Sequence, residues 1–174
     1  MWWAFAQVLT CITSLAFCTY HDVQTKPKDY GHLYLPIIST SIPHVITYIL
    51  CFSSLLFGNN VMYIFTHVYA PAMFIKATLM PLTIFPDANP ECKNWHPIHC
   101  LTRNDMLPSG HMTLALCAAL TLNPFGMVLA GITGVCLVAS RMHYSVDVIL
   151  STWLIFLLSY SADVIYPFKL SVVN

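Results

Sequence analysis

Charge is almost absent from long stretches of this chain. Between Leu33 and Phe85 the sole charged residue is Lys76, and from Met106 to Ser140 there is none. Apolar runs of that length, broken by prolines and short polar loops, cannot all be hidden inside one small domain in water. The composition agrees: 57% of residues are hydrophobic and 8% charged, against about a quarter charged in ordinary soluble domains. The sequence therefore predicts an all-α fold, an integral membrane bundle of six transmembrane helices in a single domain covering residues 1–174. The implied partner is a membrane bilayer. A formal net charge of zero gives no electrostatic footprint for nucleic acid.

Six apolar segments follow in order. Residues 2–20 lack a basic flank and a small residue before a cleavage point, so they read as a retained helix, not a signal peptide. A polar loop at 21–32 leads to a segment at 33–57 that Pro36 and Pro43 should kink, then to the turn signal Gly58-Asn59-Asn60. The third segment, 61–85, carries Pro71 and Pro81. After a polar loop at 86–107, a short helix starts near Ser109 and stops before Asn123-Pro124. The last two segments are 125–139 and 144–166. An even number of crossings puts the loops at 21–32, 86–107 and 140–144 on one side.

Two of those loops introduce the residues with chemistry. Pro108-Ser109-Gly110-His111 is a helix start with serine as N-cap; helix N-terminal amides bind anions, and glycine lets a phosphate come close. His143 stands four positions before Asp147, so on a helix the two would share a face, and the carboxylate would fix the imidazole tautomer. Arg141 offers a planar fork suited to phosphate oxygens. Lys76, inside an apolar segment, either snorkels to an interface or meets an anion. Together these residues suit phosphoryl transfer through a phosphohistidine.

The stretch Asp105 to Thr113, Asp-Met-Leu-Pro-Ser-Gly-His-Met-Thr, and the stretch His143 to Val148, His-Tyr-Ser-Val-Asp-Val, resemble two signatures of the lipid phosphate phosphatase and phosphotransferase superfamily, the phosphatidic acid phosphatase type 2 group. The segment from Lys76 to Pro86, with Met80 and Thr83, is similar to the first motif of its sphingomyelin synthase branch, which includes phosphatidylcholine:diacylglycerol cholinephosphotransferases. That branch usually has arginine where this chain has Lys76. Thr83 and Ile84 stand where the phosphatase branch has Arg-Pro, and Ser140-Arg141 lie closer to the histidine than in phosphatases. Both departures favour the transferase branch.

The resemblance implies a headgroup transferase. Phosphocholine would pass from a phospholipid donor to a lipid alcohol acceptor, ceramide or diacylglycerol, with a lipid phosphate phosphatase as the alternative. It makes His143 the nucleophile, Asp147 its orienting acid and His111 the acid–base. Lys76, Arg141, Ser109, Gly110, Asp105 and Tyr144 would hold the substrate. No cofactor and no metal are implied, and oligomeric state is left unspecified. The resemblance also implies an endomembrane (endoplasmic reticulum or Golgi) or plasma-membrane location with a luminal or outer site, whereas basic residues on the site side lean towards the cytosol.

Other residues carry plainer readings. Cys11, Cys18, Cys51, Cys117 and Cys136 read as buried thiols. Cys92, His96, His99 and Cys100 fit no common zinc spacing, and a Cys92–Cys100 disulfide and free thiols both stay open. His44 and His67 are expected to hydrogen-bond between helices.

Overall fold

The computed structural model describes residues 2–17, 28–82, 88 and 107–164, all of which form helices, turns and connecting segments without a strand among them. In chain order the helices are α1 (Trp2–Phe17), α2 (Tyr30–Tyr34), α3 (Ser41–Phe57), α4 (Val61–Ile64), α5 (Ala70–Leu79), α6 (Gly110–Leu120), α7 (Asn123–Ala139) and α8 (Ser145–Ser161). A π-helical segment, Phe65–Tyr69, joins α4 to α5, and a 3-10 turn, Met80–Leu82, follows α5.

Helix α6 is the centre of the packing, touching α3, α7 and α8. Its residues Met112, Thr113, Ala115, Leu116, Cys117, Ala118 and Ala119 are all buried. A helix apolar around its whole circumference must be enclosed, and its small alanines let the neighbours come close. On the far side α1 packs along α5. The buried hydroxyls between helices mostly return to carbonyls one turn back: Thr47 donates to Pro43 O (2.8 Å), Thr113 to Ser109 O (2.8 Å) and Ser159 to Ile155 O (2.6 Å). They therefore enter the core without an unmet hydrogen bond.

The prolines act differently from the expected kinks. Pro36 lies in a non-helical connection between α2 and α3, so the segment expected at 33–57 is two helices. Pro43 falls in the first turn of α3, where its missing N–H costs nothing. Pro71 is at the start of α5, and the helix widens to π geometry just before it. The ring would otherwise strike the carbonyl four residues back.

The expected six-crossing membrane bundle is not what the chain forms. Among the described residues no helix is long and apolar enough to cross a membrane. The longest run 17 residues, about 25 Å at 1.5 Å per residue, short of a hydrocarbon core of about 30 Å. The integral, multi-pass placement in an endomembrane or plasma membrane falls with it, as does the argument from an even number of crossings. Low charge predicted helices correctly but not their lengths, because the proline breaks consume residues that a spanning helix would need. The thiols also vary: Cys117 is buried, Cys51 and Cys136 are partly covered, and Cys11 is exposed. The loop with Cys92, His96, His99 and Cys100 lies outside the described residues, as does Cys18.

Candidate active site

The turn between α7 and α8 sets the site. After Ala139 the chain makes a Schellman ending: Arg141 N–H donates to Val138 O (3.0 Å) and Met142 N–H to Leu137 O (3.1 Å). That ending needs a left-handed residue, and Arg141 takes it at φ 59° where glycine is usual. The conformation costs an L-residue about 1 kcal/mol or more. The guanidinium offsets it by donating to the carbonyls of His32, Leu35 (3.2 Å) and Val138 (3.3 Å). Arg141 therefore ties α2 to the turn, and its fork is turned onto backbone carbonyls.

The turn delivers His143 two residues before α8 begins, so His143 is not on the helix that carries Asp147. They meet for another reason. Asp147 sits at the third helical position and reaches back to accept the Tyr144 N–H at Oδ2 (3.0 Å), one half of a capping box. That return leaves Oδ2 3.5 Å from His143 Nδ1. Both groups are enclosed, His143 at 6% exposure and Asp147 at 0%. Among the described residues His143 Nδ1 and Asp147 Oδ1 have no hydrogen-bond partner. Buried polar atoms left unpaired cost about 1–3 kcal/mol each, so such an arrangement calls for a reason beyond folding.

The first motif abuts the second. Ser109 Oγ caps α6 by accepting from Met112 N–H (3.2 Å), Ser109 N–H points to Asp147 O (3.5 Å), and Ser151 Oγ donates to Ser109 O (3.1 Å). This stitching brings the ring of His111, in the first turn of α6, to 6.0 Å from the ring of His143, centre to centre. Lys76, 3% exposed on α5, donates to Pro108 O (2.6 Å) just ahead of that turn. A Cβ built on Gly110 would lie 3.7 Å from Lys76 Cε, so the ammonium stem runs beside the helix start. A helix N-terminus and a buried ammonium there both favour an anion.

The structure thus gathers His143, Asp147, His111, Lys76, Ser109 and Gly110. Tyr144 is buried, with its ring against His32 at 5.3 Å. Arg141 is bound to the α2 backbone instead, and Asp105 lies outside the described residues.

Three further neighbours border these residues: His44, which the sequence expects to hydrogen-bond between helices and which does so from α3 to α6, and His32 and Asp29, which no sequence motif singles out. His44 Nδ1 is 3.1 Å from His111 Nε2. His32 Nε2 is 3.0 Å from His143 O. Asp29 caps α2 by accepting from His32 N–H (3.1 Å) and also accepts the backbone N–H and the hydroxyl (2.8 Å) of Ser145, the first residue of α8. Partial burial works to raise the Asp29 pKa, but the two Ser145 hydrogen bonds, the His32 amide and the His32 ring together hold it below its ordinary 3.8. The polar loop at 21–32 carried the signal for Asp29 and His32, as an acid followed by histidine at N-cap spacing. Among the described residues no group of three or more metal-ligating side chains is placed to hold a metal ion.

Compared with protein-family models, with curated proteins and with solved structures, the chain matches none of them.

Proposed function

We propose that this protein transfers a phospho-headgroup, phosphocholine by the motif resemblance, from a glycerophospholipid to the hydroxyl of ceramide or diacylglycerol. The observation that carries the reading is the pair of imidazoles 6.0 Å apart, one backed by a buried carboxylate and the other opening a helix beside a buried lysine. With Nδ1 facing Asp147, the Nε2 lone pair of His143 attacks phosphorus. The bond from phosphorus to the diacylglycerol oxygen breaks, and His111 supplies the proton to that oxygen. In the second half the acceptor hydroxyl oxygen attacks phosphorus, the phosphorus–nitrogen bond breaks, and the hydroxyl proton goes to His111. Lys76 and the first amides of α6 counter the charge on the phosphoryl oxygens. Asp147, 3.5 Å from Nδ1, need move only a few tenths of an ångström to accept that N–H as His143 becomes cationic.

The test uses the protein in phosphatidylcholine vesicles containing ceramide or diacylglycerol, with the headgroup labelled. Label on the acceptor lipid is the expected result, and His143→Ala should reduce it by about a thousandfold or more. Water-soluble phosphate from phosphatidic acid, with none on an acceptor, would make the protein a phosphatase. Full transfer by His143→Ala would remove the proposed nucleophile.

A further inference from the structure

His44 is the residue the two motifs do not account for. It lies in the first turn of α3, after Pro43, and its Nδ1 stands 3.1 Å from Nε2 of His111. The rings are 4.8 Å apart and meet edge to face at 65°, while His44 also stacks on Tyr48 at 6.3 Å. Two imidazole nitrogens at hydrogen-bond distance must have a proton between them, since two lone pairs would repel. We propose that His44 and His111 form one acid–base unit that carries a single positive charge: the Nε2–H of His111 stays donated to His44, the Nδ1–H is the proton passed to the leaving oxygen, and His44 is the positioning residue that keeps His111 in its acid form near neutral pH.

The use of this pair rests on the transferase reading; its geometry does not. A protonated His111 donates its Nε2–H to neutral His44, and this ionic hydrogen bond is stronger than a neutral one. A second proton on the pair would put two cations in contact. The pair therefore takes up its first proton more readily than an isolated imidazole and resists a second, so the singly protonated form spans a widened pH range. That form suits a reaction whose first half needs a proton at the leaving oxygen and whose second half returns one. No proton is gained or lost over the cycle: the one given to diacylglycerol is replaced by the one from the acceptor. Among the described residues the other titratable groups around the pair include His143, with Asp147 behind it, Lys76 beside Gly110, and Tyr48 on α3 itself. The Lys76 cation opposes protonation of the pair, so a partner that favours it has a role.

The test reads the His111 ring directly by nitrogen-resolved NMR titration of the intact protein, alongside the pH dependence of headgroup transfer. In His44→Phe, which keeps an aromatic ring in the same place, the His111 titration should move to lower pH by about one unit. His44→Gln, whose side-chain oxygen can still accept from Nε2–H, should restore part of the shift. The alkaline limb of kcat should move with it, and kcat at neutral pH should fall roughly tenfold to a hundredfold with KM little changed. An unmoved His111 titration in both variants would overturn the singly charged pair, whatever the activity. A moved titration in a protein that transfers no headgroup would leave the pair standing and remove the transferase reading.

Discussion

Arg141 shows how far a single side chain can depart from its apparent use. As a cation beside a histidine it reads as a phosphate ligand, yet its φ of 59° and its three carbonyl partners make it the clasp of a helix ending. Nothing in composition reveals a left-handed arginine, because that conformation is set by where α7 stops. Asp29 is the complementary case, an acid in a loop that closes two helix starts at once. Its folded pKa lies below 3.8, so the unfolded chain binds that proton more tightly than the folded one. The carboxylate's contribution is therefore complete above about 3.8 and shrinks as pH falls through the lower folded value. The melting temperature of Asp29→Asn should lie below wild type at neutral pH, and the gap should close in acid. A gap constant with pH would mean that the charge on Asp29 is not what joins α2 to α8.

At the scale of elements, the legible parts were those fixed by local chemistry. Ser109 as N-cap and the turn at Asn60, now seen at φ 55°, follow from residue type alone. The four-residue spacing predicts that His143 and Asp147 meet on a shared helix face, but their meeting arises from a capping return, because α8 starts two residues later than His143. The sequence places His44 inside one segment at 33–57 and expects it to hydrogen-bond between helices, without saying to what. The break around Pro36 moves the start of α3 to Ser41 and so brings His44 to the end where His111 begins α6. Helix α2 itself depends on contact distance. A Cβ on Gly31 would lie 2.3 Å from Ser145 Oγ and 2.6 Å from Val138 Cγ1, whereas one on Gly131 in α7 meets nothing within 4 Å. Gly31→Ala should therefore destabilise by about 1–3 kcal/mol as α2 is pushed from the turn. Gly131→Ala should stabilise by about 0.5–1 kcal/mol, as expected inside a helix. Denaturant melts of the two variants decide it, and equal effects would show that α2 does not press on the start of α8.

Over the whole molecule, length and surface have to be separated. Crossing a bilayer requires helices of about 20 residues, which the described chain lacks. Contact with lipid requires only an apolar face, and here there are several. On α3 the exposed residues Val45, Tyr48, Phe52, Leu55 and Leu56 recur at helical spacing, and on α8 so do Ile149, Trp153, Leu157 and Tyr160. Phe52 and Trp153 are each 65% exposed, an arrangement that water disfavours unless something covers it. If the proposed transfer between two lipids is right, acyl chains are the cover that chemistry predicts. Protein made in the presence of phosphatidylcholine vesicles should float with them, and brominated acyl chains should quench a tryptophan signal that is missing in Trp153→Phe. Equal quenching in wild type and Trp153→Phe would place α8 away from lipid, and failure to float would leave the apolar faces to a second copy of the chain or another protein.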